Sequence, residues 1–258
     1  MSKGQPQQVI TDNNTLFDLY HELKAGDIVI GRVRLRPAEE PLLVDLVERG
    51  IRLFPSALSQ LASRSKNLQA KLFGPLIIPL TMAVYDLHDL TRAITLYGRN
   101  RIGQVVTKQD RRNAGMGVHL WTSIEEVYTQ ASFGVIPLPF VLQPFYPGCR
   151  DIRVVMIGDY EEAYWRHNPD NFRNNLHCGG KSSPCELTAA QRDLCQQAMR
   201  RGRFPYAHLD IMVTADDVSY LAEINLRGGI RGAKITTTEY RRRVEAMQQF
   251  WLSQELGQ

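Results

Sequence analysis

The period of the apolar positions changes repeatedly along the chain, from helical to extended and back. Leu16, Leu19, Tyr20 and Leu23 recur at helical spacing, and Gly26-Asp27 then turns into the β-branched run Ile28-Val29-Ile30, which predicts a helix followed by a strand. Pro37 opens a second helix carrying Leu42, Leu43, Leu46 and Val47, which stops near Gly50 before a short strand over 51–54. Together these elements form a βαβ-like unit. Another helix fits 63–73. Pro75 and Pro79 then bracket an extended connection to a helix over 87–97, a crossover between domains.

From Ile102 the pattern becomes antiparallel: QVVTK, a glycine-containing loop and GVHLW predict a strand, a flexible flap and a second strand. Segments 140–145 and 152–157 are β-rich, and Thr188 with Gln191 forms a capping box ahead of a helix reaching about Arg201. The polar stretch 168–183 reads as one long loop. Tyr240, Val244, Met247 and Trp251 give the last helix an apolar face to pack on the body.

The most informative segment is AHLDIMVTADDVSYLAEINLRGG. A turn centred on Asp216-Asp217 pairs position 215 with 218, and the same register sets Asp210 opposite Glu223. Asn225, two residues on, projects to that face, while Leu209, Ile211, Val213, Ala222 and Ile224 point into a core. Facing carboxylates destabilise a sheet unless a counter-charge lies between them. A magnesium-type ion on an Asp, Glu and Asn oxygen set is one reading; a solvated outer face on an ordinary hairpin is the other.

Composition narrows the class. With 258 residues, 43% hydrophobic and 22% charged, the chain suits one large core or two linked ones. Pro75 and Pro79 break the longest apolar stretch, so a membrane span is not expected, and the polar start argues against a signal peptide. A cytoplasmic location follows as an expectation. Cys149, Cys178, Cys185 and Cys195 lack metal-type spacing and are expected as thiols. A formal charge of +4 is small for this length, so nucleic acid is not indicated. Lys108 at a strand end, with Gly115 and Gly117 in the following loop, suits phosphate, since glycine amides approach phosphate oxygens closely. The sequence carries neither a Walker A loop nor a dinucleotide fingerprint.

Lys66 in RSKNLQ, Lys108 in VVTK, AGMGV, QPF at 143–145, CRDIRVVMIGD, FRNNLHCGG, LDIMV and AEINLRGG follow one another in an order that resembles the RimK-type carboxylate-amine ligases of the ATP-grasp superfamily. The resemblance covers about residues 42–234. It implies an α+β ATP-grasp fold, with two α/β subdomains gripping ATP behind a short pre-ATP-grasp N-terminal domain. The expected division is 1–62 for that N-terminal domain and 63–258 for the ATP-grasp domain, of which 63–145 includes the lid and 146–258 the metal site.

By the same resemblance Lys66 and Lys108 contact the ATP phosphates, Gly115 and Gly117 form the flap, and Gln143 to Phe145 run along the adenine. Asp151 matches an acidic nucleotide contact, while Arg173, Asn174 and Asn175 match a segment near the phosphates and reacting centre. Asp210, Glu223 and Asn225 would hold magnesium, two ions with manganese an alternative. Similar enzymes carry a Glu where this chain has Pro144, which removes an acidic acceptor for the adenine amino group. The implied reaction is amide formation through an acyl phosphate, with Arg153 and Arg173 steadying anionic intermediates.

The carboxylate and amine substrates are small molecules or peptides. Arg227, Arg231 and Lys234 in LRGGIRGAK suit a substrate carboxylate or phosphate, such as an acidic amino acid or peptide end. Ordinary solvated cations fit that pattern equally well. A homo-oligomer stays open. Two rival classes also stand: a catalytically silent ATP-binding sensor or scaffold of the same fold, and a basic RNA-binding module.

Overall fold

The computed structural model describes residues 8–112 and 115–257. Ala114 of the expected flap lies outside those residues. In chain order the elements begin with β1 (Val9–Ile10), α1 (Asn13–Asp18), β2 (Ile28–Ile30), α2 (Leu42–Glu48) and β3 (Arg52–Phe54). They pair as a parallel three-stranded sheet of order β1-β2-β3. Leu16, Leu43 and Leu46 cover it and form the N-terminal core. The helix expected through Leu23 ends at Asp18, and the one expected from Pro37 is a single 3₁₀ turn before α2, because Pro41 withholds the amide a continuous helix would use.

The lid follows. After α3 (Ala57–Ala62) and α4 (Lys66–Leu72), β4 (Met82–Val84), β5 (Val105–Gln109), β6 (Val118–Trp121) and β7 (Phe140–Pro144) make an antiparallel sheet of order β4-β7-β5-β6. Two helices, α5 (Leu87–Arg99) and α6 (Ile124–Ser132), cover one face, with Leu90, Ala93, Tyr97 and Val127 fully buried.

The third sheet holds β8 (Arg150–Ile157), β9 (Tyr160–His167), β10 (Lys181–Cys185), β11 (Tyr206–Val213) and β12 (Ser219–Asn225), in the order β10-β9-β8-β11-β12. Packed on its core face are α7 (Ala189–Gly202), capped by the expected Thr188–Gln191 box, and α8 (Thr237–Leu256), which presents Tyr240, Val244, Met247 and Trp251. β10 occupies part of the stretch expected as loop. Pro184 is tolerated there because β10 is an edge strand and needs no donor on its open side.

The helix expected over 63–73 begins at Lys66, and its job is to join the sheets. Asp110 at the end of β5 accepts hydrogen bonds from the Ser65 hydroxyl and the Asn67 amide, fixing the start of α4. At the other sheet the Gln69 side chain pairs with both backbone groups of Ile224, accepting from its N–H at 3.0 Å and donating to its C=O at 2.9 Å. That closes the free edge of β12 with a side chain in place of a strand. Phe73 buries completely in the third core, so the segment expected within the lid half is anchored on both sides. Among the described residues no helix is long and apolar enough to cross a membrane.

Candidate active site

The β11–β12 hairpin sets Asp210 opposite Glu223 as expected, by a different route. The turn spans one residue more than a two-residue loop, so Val213 pairs with Ser219 and not with Tyr220. A bulge then shifts the register between Asp210 and Ile211 and restores the Asp210–Glu223 pair. The extra residue also exchanges two side chains: Leu221, not Ala222, enters the core, and Ala222 faces the cleft. Leu209, Ile211, Val213 and Ile224 are buried as expected.

Charges cross the cleft face of four adjacent strands. Asp151 on β8 pairs with Arg166 on β9, which also reaches Asp210 on β11 at 3.0 Å. Arg153 on β8 approaches Asp210 at 2.5 Å. Glu223 on β12 meets the Lys66 ammonium, Nζ to Oε1, at 3.1 Å. Burial pushes the Asp210 carboxyl up, but Arg153 and Arg166 outweigh it and hold the group below the usual carboxylate range. Asp151, with burial prevailing over Arg166, is pushed up. Arg166 stays firmly charged: its two carboxylate partners outweigh its burial.

Two clefts meet over this row. The first, of ≈ 440 Å³, runs between the lid and the third sheet. Val106, Phe145, Phe172, Met212 and Ala222 supply its apolar lining, and the Phe145 and Phe172 rings meet edge to face at 6.1 Å. Its polar lining includes Lys66, Lys108, Asn174, Asn175, Asp210 and Glu223. Lys108 is half-buried, and its partial desolvation lowers its ammonium pKa against the opposing pull of Glu223. Lys66 also donates to the Arg112 carbonyl at 2.7 Å, tying the flap base to α4. A cleft that combines apolar and aromatic walls with two lysines suits a ligand that has both a flat base and phosphates.

Several expected nucleotide residues also shape the walls. Gly115 has φ +75° and lies so close to Asn175 that a Cβ would sit 2.3 Å from its Nδ2, so any larger residue is strained there and must displace that side chain. Gly117 lines neither cleft; its carbonyl accepts from the Gln109 amide at 2.7 Å, within the flap hairpin. Asn174 accepts from the Asn168 amide, and Asn175 accepts from the Cys178 amide, so both order their own loop. Arg173 grips the Val118 carbonyl of β6 and stacks over Phe172 at 4.4 Å, which ties loop to flap. Gln143 is buried in β7. The Phe145 amide donates to Gln104 on the β5 side, so position 144 faces the other way, beyond the end of β4, and Pro144 forfeits no ladder bond.

The second cleft, of ≈ 800 Å³, opens on the other side of the same floor and is dominated by arginine: Arg32, Arg153, Arg166, Arg227 and Arg231. Asn225 lines it, together with the expected substrate residues Arg227 and Arg231. Gly115, Arg166, Asn175, Asp210 and Glu223 line both clefts. Lys234 is exposed and contributes its backbone amide to Glu162. Arg166, Tyr164, Phe172 and Arg32 were not among the expected residues. The first was findable: a turn at Gly158-Asp159 pairs Ile157 with Tyr160, and the same register sets Asp151 against Arg166.

The donors suit a divalent ion. Asp210 Oδ1 is buried with no hydrogen-bond partner despite its nearness to Arg153, a close but misaligned pair. Among the described residues no group of three or more His, Cys, Asp or Glu gathers at one point, so two carboxylates and the Asn225 amide are the available oxygen set. That set fits a hard ion whose remaining sites go to phosphate and water.

The model of the RimK-like ATP-grasp domain matches residues 77–244. The chain belongs to the RimK-like ATP-grasp family. A glutathione synthetase of Agrobacterium fabrum is 28% identical over 171 residues, covering 60% of this chain and 49% of that protein. The ribosomal protein bS6–L-glutamate ligase of Shigella boydii is 24% identical over 189 residues, 70% of this chain and 61% of that one. The chain thus spans about half to three fifths of these relatives' length. The ATP-grasp ligase PsnB, solved with a precursor variant, Mg and ADP, shares the fold with a TM-score of 0.54 and 18% identity, over 82% of this chain and 67% of that one.

Proposed function

We propose that this RimK-like ATP-grasp protein is a carboxylate-amine ligase that makes an amide or peptide bond through an acyl phosphate and releases ADP. The observation that carries the proposal is the shared floor: Arg166, Asn175, Asp210 and Glu223 line both the slot suited to a nucleotide and the arginine-rich cleft. Family membership and the ligase names of the relatives support the same reading.

ATP enters with its base between Phe145 and Met212 and its phosphates toward Lys66 and Lys108. A substrate carboxylate in the arginine cleft then lies across the floor from the γ-phosphate. Its oxygen attacks phosphorus and ADP departs, leaving an acyl phosphate. An amine attacks the acyl carbon, the nitrogen loses a proton to solvent, and phosphate leaves with the bonding pair. Arg153 and Arg166, already oriented by Asp210, offset the negative charge that develops. Asp210, Glu223 and the Asn225 amide oxygen would hold magnesium, which would supply positive charge to offset that of the phosphates. Arg227 and Arg231 face the substrate side and favour an acidic amino acid or peptide end. The relative named as an L-glutamate ligase supports that class. We place the reaction in the cytoplasm.

The test is magnesium-dependent ADP release across a panel of carboxylates and amines, with products read by mass spectrometry. Glu223→Gln keeps the shape of the side chain but removes its charge, and we expect turnover to fall at least about 100-fold, as for loss of a preorganised electrostatic group, with the fold unchanged. Full activity in that variant sinks the assignment of the metal floor.

A further inference from the structure

From the geometry we infer that Arg32, contributed by the N-terminal domain, is a specificity-determining residue that clamps an anionic group of the substrate together with Arg227. This deepens the ligase reading and rests on it for the word substrate; the anion site itself stands on the geometry of one arginine.

Arg32 stands two residues past the end of β2, after Gly31, and its flanking backbone is held from every side. The Asn13 side-chain amide donates to the Arg32 carbonyl at 3.2 Å and accepts from the Arg34 amide at 2.6 Å. The Val33 amide donates to Gln60 Oε1 at 2.9 Å, and the Val33 carbonyl accepts from the Arg64 guanidinium. Gln60 is 1% exposed and is itself locked by a 2.8 Å bond from Nε2 to the Pro55 carbonyl. Gly31 donates to Phe54 across the strand end. A three-residue stretch with side-chain clamps on successive backbone groups is a rigid mount, and its side chain lines the arginine-rich cleft.

What that side chain lacks is a counter-ion. Arg153 and Arg166 in the same cleft are neutralised by Asp210 and Asp151. Among the described residues no carboxylate lies within ion-pair distance of Arg32, Arg227 or Arg231. Arg32 is half-buried, and its neighbours are the Tyr206 and Tyr240 rings and Arg227. Burial first, then Arg227, make its charge costly. A buried cation is normally paired, because the desolvation it suffers is otherwise uncompensated. A like-charged neighbour beside the rigidly mounted Arg32 adds to that cost and calls for an anion between the two guanidinium groups. Carboxylate and phosphate both fit, since each accepts two parallel N–H bonds from a guanidinium fork.

The experiment uses the full chain saturated with ADP and magnesium, so that the neighbouring phosphate site is filled. The unfolding midpoint is followed as L-glutamate or, separately, inorganic phosphate is added at constant ionic strength. For the unmodified protein we expect the midpoint to rise with at least one of the two anions. In Arg32→Ala the half-maximal concentration should increase about ten-fold or more, the effect of losing one charged hydrogen-bonding partner. Arg32→Lys should fall between, and Arg227→Ala should match Arg32→Ala. Relief of repulsion leaves the anion-free midpoint of Arg32→Ala equal to or above the original.

An arginine serving only the fold gives the opposite pattern: a lowered anion-free midpoint with an unaltered anion response. That pattern overturns the inference, as does an unmodified protein that responds to neither anion. Failure of the chain to bind ADP at all would instead sink the ligase reading, so the two failures are distinguishable.

Discussion

Replacing Arg166 with methionine removes the cation at the centre of the charge row while keeping a long apolar stem. Arg166 has 7% of its side chain exposed, and its partners Asp151 and Asp210 have 19% and 15%. Breaking a buried pair from one side leaves an uncompensated charge and costs about 3–5 kcal/mol. Asp151 loses its ion-pair partner and Asp210 one of two. With a urea slope of roughly 3 kcal/mol/M, the upper part of the range for small domains, the unfolding midpoint at pH 7.5 should fall by roughly 1 M or more.

The sign of the pH dependence provides the sharper check. In the unmodified protein Asp210 is depressed, so its contribution is present above the unfolded carboxylate range and is lost as pH falls through the depressed value. Asp151 is raised, so its contribution is present at acid pH and is lost as pH rises through the raised value. Without Arg166 both carboxyls move up, and protonation relieves the stranded charges. The gap between the two proteins should therefore narrow as pH is lowered from 7.5 toward 5. Urea titrations read by tryptophan fluorescence, with Trp165 on the same strand, measure it. A midpoint shift under about 0.3 M at pH 7.5, or an equal shift at both pH values, would refute the reasoning.

Burial has pulled the Lys108 ammonium pKa down, and triphosphate beside it should draw a proton back. ATP binding measured by calorimetry over a pH series is then expected to take up protons wherever the free ammonium is partly deprotonated, seen as heats that vary with buffer ionisation enthalpy; Lys108→Met should abolish the variation and weaken binding. Gly115→Ala places a methyl group 2.3 Å from the Asn175 amide at a φ of +75°. The change should strain the flap by about 1–3 kcal/mol and raise the ATP dissociation constant, while urea stability of the third sheet stays as it was.

Much of the architecture is legible because it follows local rules. The lid hairpin, the capped helix after Thr188 and the apolar face of the last helix are each specified by a few neighbouring residues. Elements set by tertiary contact escape. β4 is three residues long and exists because β7 offers it a ladder, and β10 contains a proline that only an edge position permits. α6 is a different case, since Ser123 as its cap and Ile124, Val127 and Ala131 at helical spacing are all present in the text. The hairpin at Asp210 shows how a right pairing arises from two offsetting departures. The loop is one residue longer than a tight turn, and the bulge takes up that residue by turning Ala222 out of the core.

The acidic half of the site is readable in a way the basic half is not. Asp210 and Glu223 are an anomaly within one hairpin, two like charges in facing positions, and an anomaly inside a local register marks itself. Arginines are common and generally solvated, so their meaning depends on what they meet across the fold. Arg166 acquires its role by standing between carboxylates on two other strands, and Arg153 by standing opposite Asp210. Arg32 acquires its role from the absence of such a partner, together with the clamps that Asn13, Gln60 and Arg64 place around it. None of those relations has a sequence period. On the proposed function the site therefore divides physically: the floor proposed to handle phosphate is built from adjacent strands, whereas the proposed substrate cations come from segments far apart in the chain, which would let substrate choice change without disturbing the floor.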